Sequence, residues 1–210
     1  MRLGTPRQAY ASVPDASVQR IPPGESALPG EFAPGDFILT HGHAWTSQLI
    51  RFGQRIRFRG ERKYSHWNHA ALLVSAEGDL VEALGAGVQK RNLSVYDGTE
   101  YHLVRITASD EDCQEVVAFG NYSLGEPYGF LTIASIAIGL PTGAKFTFSF
   151  DGQTICSGLV ARAQERTTAI FNRTPSHIIP ADLAKFYAVE PPPRGTSTGT
   201  PPPTREGVVA

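Results

Sequence analysis

The stretch Thr154-Ile155-Cys156-Ser157-Gly158-Leu159-Val160 joins a short apolar lead-in to a helical pattern. Leu159, Val160 and Ala163 recur at the three- and four-residue steps of one helix face, which sets Cys156 at or near the first turn. A thiol there meets free backbone N–H groups and the positive end of the helix dipole. Both lower its pKa, and both can hold a developing oxyanion. A cysteine in an apolar setting is otherwise a small buried hydrophobe. Reactivity requires a partner base, so the rest of the chain decides between the two readings.

The chain has 210 residues, 41 % of them apolar, enough for one sizeable core. Its net charge of −1 gives no electrostatic case for nucleic acid or an anionic membrane. Residues 1–10 carry two arginines but no apolar core of a secretory signal. The longest apolar run, residues 130–140, is too short for a bilayer. Two cysteines, Cys113 and Cys156, make no disulfide framework, so a reducing compartment is expected, cytoplasmic or phage-associated.

Prolines crowd both ends: of 16, six lie in residues 1–34 and six in residues 190–210. Residues 1–33 therefore read as an extended, poorly ordered arm, residues 34–189 as the single folded domain, and residues 190–210 as a proline-rich disordered tail. The ends are candidate tethers for a partner.

Within the folded unit, Gly35-Asp36-Phe37-Ile38-Leu39 reads as a turn and strand. Residues 46–58 read as a helix leading into a basic run from Arg51 to Lys63. Asn68-His69-Ala70-Ala71-Leu72-Leu73-Val74 enters an apolar strand, and Leu80-Val81-Glu82-Ala83 returns as its hairpin partner, broken at Gly85 and Gly87. Residues 101–106 read as a further strand. Ser109 to Asp112 cap an amphipathic helix whose inner side carries Cys113, Val116, Val117 and Phe119, with Cys113 as core. Residues 130–140 read as a buried helix, 146–150 as a strand, and Pro180-Ala181-Asp182-Leu183 as the start of a last helix. Hairpins and helices without regular βαβ alternation indicate an α+β fold.

Of six histidines, His69 is the strongest base candidate, because it stands at the mouth of a strand that anchors it. A register pairing Ala71 with Glu82 puts Glu82 and His69 on one face, a diagonal step apart. Glu82 then accepts the Nδ1 proton and leaves Nε2 facing the thiol of Cys156. His41, His43, His66 and His69 offer a metal-site alternative, without a His-Glu-x-x-His helix or a Cys-x-x-Cys pair to support it. No phosphate loop or nucleophile-elbow motif is present, and no cofactor is expected.

Several of these segments together resemble the NlpC-type cysteine peptidases, a branch of the papain-like fold. Ile155-Cys156-Ser157-Gly158-Leu159-Val160 resembles their nucleophile motif, with Ile155 where Asp is usual. Gly35-Asp36-Phe37-Ile38-Leu39 is similar to the strand before their histidine, Asn68 to Val74 to the histidine strand, and Glu82-Ala83 to the strand bearing the third polar residue. Leu124-Gly125-Glu126-Pro127-Tyr128 resembles the segment that normally precedes the cysteine helix. The order differs: His69 and Glu82 precede Cys156, as in the circularly permuted branch that includes YiiX-like bacterial proteins and lecithin:retinol acyltransferase relatives. The resemblance implies a permuted papain-like fold with an antiparallel sheet against helices. It implies Cys156 as nucleophile, His69 as base, Glu82 as orienting residue, and Tyr128 and Ser157 at the substrate and oxyanion cleft. It also implies amide, ester or thioester chemistry on a peptide, cell-wall or lipid-like acyl substrate. The alternative is a non-catalytic binding or virion-structural module that retains the fold.

Overall fold

The computed structural model describes residues 13–41, 54, 60–127 and 155–192. Its strands in chain order are β1 (Ala16–Ile21), β2 (Phe37–Thr40), β3 (His69–Leu73), β4 (Asp79–Leu84), β5 (Gly87–Asn92) and β6 (Tyr101–Ile106). They form a six-stranded sheet in the order β1-β6-β2-β3-β4-β5, with every neighbour antiparallel. Three helices belong to the described residues: α1 (Asp110–Tyr122), α2 (Cys156–Gln164) and α3 (Pro180–Phe186). The molecule is an α+β single domain, as the alternation of hairpins and helices predicts.

Position in the sheet explains strand composition. β2 and β3 are central and covered on both faces, so Phe-Ile-Leu-Thr and the Ala-Ala-Leu-Leu of β3 are entirely buried. On one face Phe37, Leu39, Leu72, Val81 and Val104 pack with Leu159 and Val160 of α2 and Leu183 of α3. On the other, Ile38, Ala71, Leu73, Leu80 and Leu103 are covered by Ile21, Ala27, Phe32, Leu93 and Tyr96.

That second core corrects the N-terminal boundary. Residues 16–33 are not a loose arm: β1 pairs with β6 from Ala16 opposite Ile106 to Ile21 opposite Tyr101. Phe32 and Ile21 are buried. β1 has a mixed burial pattern, so it carries no two-residue hydrophobic alternation; backbone pairing to β6 specifies it instead. β5 was likewise hidden. Its Gln-Lys-Arg centre is exposed, as an edge strand tolerates.

Asp36 locks the start of β2. Its buried carboxylate accepts from the N–H of Ala33 at 2.7 Å and of Ile106 at 2.9 Å, tying the turn before β2 to β6. Gly35, at φ 100°, makes that turn possible, and its carbonyl accepts from Gln164 Nε2 at 2.8 Å. The glycine–aspartate motif thus anchors the far end of α2 to the sheet. α1 is capped by Ser109, whose hydroxyl accepts from the Asp112 N–H. Cys113 is half-buried, less enclosed than a core position.

The helix expected over 46–58, the segment 130–140 and the strand over 146–150 lie outside the described residues, Gln54 apart. Gln54 is buried and bridges two elements, donating to the Trp67 carbonyl and accepting from the Ala181 N–H at the start of α3. No described helix is long and apolar enough to cross a membrane.

Candidate active site

The β3–β4 hairpin has Leu72 opposite Val81 and Leu73 opposite Leu80. Carried one pair further, this register sets Ala71 opposite Glu82, and the diagonal neighbour of Glu82 on the same face is His69. The two side chains meet: His69 Nε2 lies 2.6 Å from Glu82 Oε2. The carboxylate is fully buried, while the imidazole keeps 14 % of its side-chain surface exposed.

α2 approaches from the other side. It packs on β3, and its first residue is Cys156, 1 % exposed and hydrogen-bonded to His69. With Nε2 engaged by Glu82, Nδ1 is the nitrogen left for the sulfur. The ring is therefore used the opposite way round from the sequence expectation, in which Nδ1 faced the carboxylate. Strand geometry decides this: from the first residue of β3, the far nitrogen reaches across to β4.

Cys156 also receives backbone hydrogen bonds from Ala70 and Ser157. The helix cap contributes by what it lacks. Ile155 occupies the N-cap with no side-chain cap hydrogen bond, so no carboxylate or hydroxyl of that residue competes for the N–H groups of the first turn. Ser157 does not turn its hydroxyl toward the thiol: the residue is buried, and Oγ donates to the Ile178 carbonyl at 2.7 Å. Gly158 brings the same segment close, since a Cβ there would stand 3.2 Å from the Pro175 carbonyl oxygen. Tyr128 lies outside the described residues.

Burial pushes the Cys156 thiol up, but His69 beside it and the two backbone donors outweigh burial and leave it below its ordinary value. Burial likewise opposes charge on His69, yet the Cys156 and Glu82 charges and hydrogen bonds hold it up at about 10. For Glu82, burial is overcome by His69, Tyr96 and Arg91, and the carboxyl stays below the usual range. These directions favour a thiolate beside an imidazolium, with a carboxylate behind the ring. Cys113 differs: burial and the carboxylates of Asp36, Asp110 and Asp112 all push its thiol up.

Two neighbours of Glu82 have no signal in hydrophobic pattern. Tyr96 ends the 3₁₀ turn Leu93–Tyr96 and donates to Glu82 Oε2 at 2.5 Å. Arg91 of β5 stands 3.2 Å from Oε1. β5 pairs Gln89 with Glu82 and Arg91 with Leu80, so Arg91 is a same-face diagonal neighbour of Glu82. Reading 87–92 as a strand would have found it.

The histidines of the metal alternative are partly engaged elsewhere. His43 lies outside the described residues; the His41 and His66 rings stack at 4.7 Å, and His41 Nδ1 donates to the His66 carbonyl. Among the described residues no group of three or more His, Cys, Asp or Glu side chains is arranged to hold a metal ion.

No protein-family model matches the chain, and no curated protein matches it. Among solved structures, the crystal structure described as metalloprotein yiiX from Escherichia coli O157:H7 aligns with a TM-score of 0.48 at 19 % identity, covering 65 % of this chain and 66 % of that one.

Proposed function

We propose that the protein is a cysteine hydrolase of the circularly permuted papain-like type, cleaving an amide, ester or thioester bond through Cys156, His69 and Glu82. The observation that carries the reading is the continuous line from sulfur to imidazole to carboxylate, with thiol and imidazole shifted toward their charged forms. Motif order supports the permuted form: the histidine strand and the carboxylate strand come before the cysteine helix.

The chemistry follows from these groups. The Cys156 thiolate attacks the acyl carbon, and the free N–H groups at the start of α2 face the oxygen on which charge develops. His69, protonated on Nδ1, gives that proton to the departing amine, alkoxide or thiolate, leaving an acyl group on sulfur. Neutral His69 then takes a proton from water as the water attacks the thioester, which restores thiolate and imidazolium. Glu82 keeps the ring oriented through Nε2 in both half-reactions. The substrate class proposed is a peptide, cell-wall or lipid-like acyl compound.

Incubation with acyl-thioester, lysolipid and muropeptide pools, followed by intact-mass analysis, tests the reading. An adduct on Cys156 that is absent from Cys156→Ala and decays in time is expected. A second reading, a binding module without turnover, draws on the near-complete burial of the thiol. Ligand binding that persists in Cys156→Ala, with no adduct in the wild type, would favour it.

A further inference from the structure

Glu82 accepts more than the orientation of one imidazole requires. Oε2 receives both His69 Nε2 at 2.6 Å and Tyr96 Oη at 2.5 Å, while Arg91 Nη1 lies 3.2 Å from Oε1. Resting on the catalytic reading of Cys156, His69 and Glu82, we infer that Tyr96 and Arg91 are positioning residues that divide the charge of Glu82 and so limit how tightly His69 holds its proton.

A carboxylate paired with an imidazolium in a dry site strengthens the hold on the proton. A general acid that never releases its proton is as poor as one that never binds it, and efficiency is greatest when its pKa lies near the working pH. The phenol competes with the imidazole for a single oxygen. Arg91 draws charge from the other oxygen. Burial and the neighbouring carboxylate push the Tyr96 phenol up, so it remains a donor throughout the neutral range. Its ring centroid lies 6.4 Å from that of the imidazole, with 28° between the planes. The titratable and charged groups that act most on the His69–Glu82 pair are Cys156 from α2, Arg91 from β5 and Tyr96 from the turn that follows it.

Imidazole NMR of the full chain tests this, with the His69 titration compared among wild type, Tyr96→Phe and Arg91→Gln. Tyr96→Phe keeps the ring and its packing and removes only the donor. Each substitution is expected to raise the His69 midpoint by about half a pH unit or more. Turnover of substrates with poor leaving groups should fall while KM is held. A role in packing alone predicts an unchanged midpoint, and an unchanged or lowered midpoint in a folded variant overturns the inference. Arg91 is partly exposed, so Arg91→Gln gives the answer even if the tyrosine variant unfolds. A wild-type His69 titrating near its ordinary value beside an unreactive Cys156 would instead overturn the catalytic reading itself.

Discussion

At Cys156 two opposing influences meet in one side chain. Near-complete burial favours the neutral thiol, and an adjacent imidazole with two backbone donors favours the thiolate. The second prevails because the compensating charge is in contact and is itself stabilised by Glu82. Glu82→Gln keeps the shape and an acceptor for Nε2 but removes the charge. Its kcat/KM is expected to fall by about one to two orders of magnitude, and the thiol to titrate at higher pH, read by the pH dependence of alkylation. Ser157→Ala loses only the hydroxyl bond to Ile178 and should cost about 1 kcal/mol in urea unfolding while leaving alkylation of Cys156 near the wild-type rate. The residue types at this site were legible in the sequence, because hairpin parity and a helix start are both local patterns. The ring nitrogen that faces sulfur was not, since it depends on the rotamer of His69, which no sequence pattern encodes.

Among the elements, the β4–β5 hairpin does more than its sequence suggests. Gly87 sits at φ 112°, and a Cβ there would come 2.8 Å from the Glu126 carbonyl oxygen, the group that accepts from the Val88 N–H. Gly87→Ala is therefore both strained in backbone and obstructed by backbone. A loss of roughly 2 kcal/mol is expected in denaturant unfolding, together with faster hydrogen exchange at Val88 and Gly125, the two amides that dock the 123–127 turn on β5. A glycine pair reads as an interruption, and here it turns one strand into another. β1 and β5 escaped detection for a shared reason. Edge strands bury little, so their identity rests on main-chain hydrogen bonds that leave no trace in side-chain periodicity.

For the whole molecule, three groups shape stability against pH around neutrality. His69, raised to about 10 from 6.5, contributes stability that is complete below the lower value and lost as pH climbs through the higher. Cys156, lowered from 9.0, contributes stability that grows as pH rises toward that value. The two contributions oppose each other between pH 6.5 and 9, so the pair weakens the pH dependence of stability there. Burial lowers His102, packed 4.5 Å from Trp67, to about 4, and the unfolded chain takes up its proton first as pH falls. Stability should decline between pH 6.5 and 4, by at most about 3 kcal/mol from this group, and His102→Phe should flatten that limb in urea midpoints. At this scale the antiparallel sheet against helices was legible from strand and helix punctuation. The second core was not, because Ile21, Ala27 and Phe32 stand apart among prolines and are gathered only when β1 closes on β6.

The comparison of the two thiols bears most directly on the central claim, since exposure and electrostatics rank them oppositely: Cys113 is the more accessible and Cys156 the more ionised. Peptide-resolved iodoacetamide labelling at pH 7 of wild type and His69→Ala measures both rates in one protein. The account predicts that Cys156 is labelled at least about ten times faster than Cys113, and that His69→Ala removes the advantage without changing Cys113. Equal, slow labelling of the two, or a Cys156 rate indifferent to His69→Ala, would contradict it.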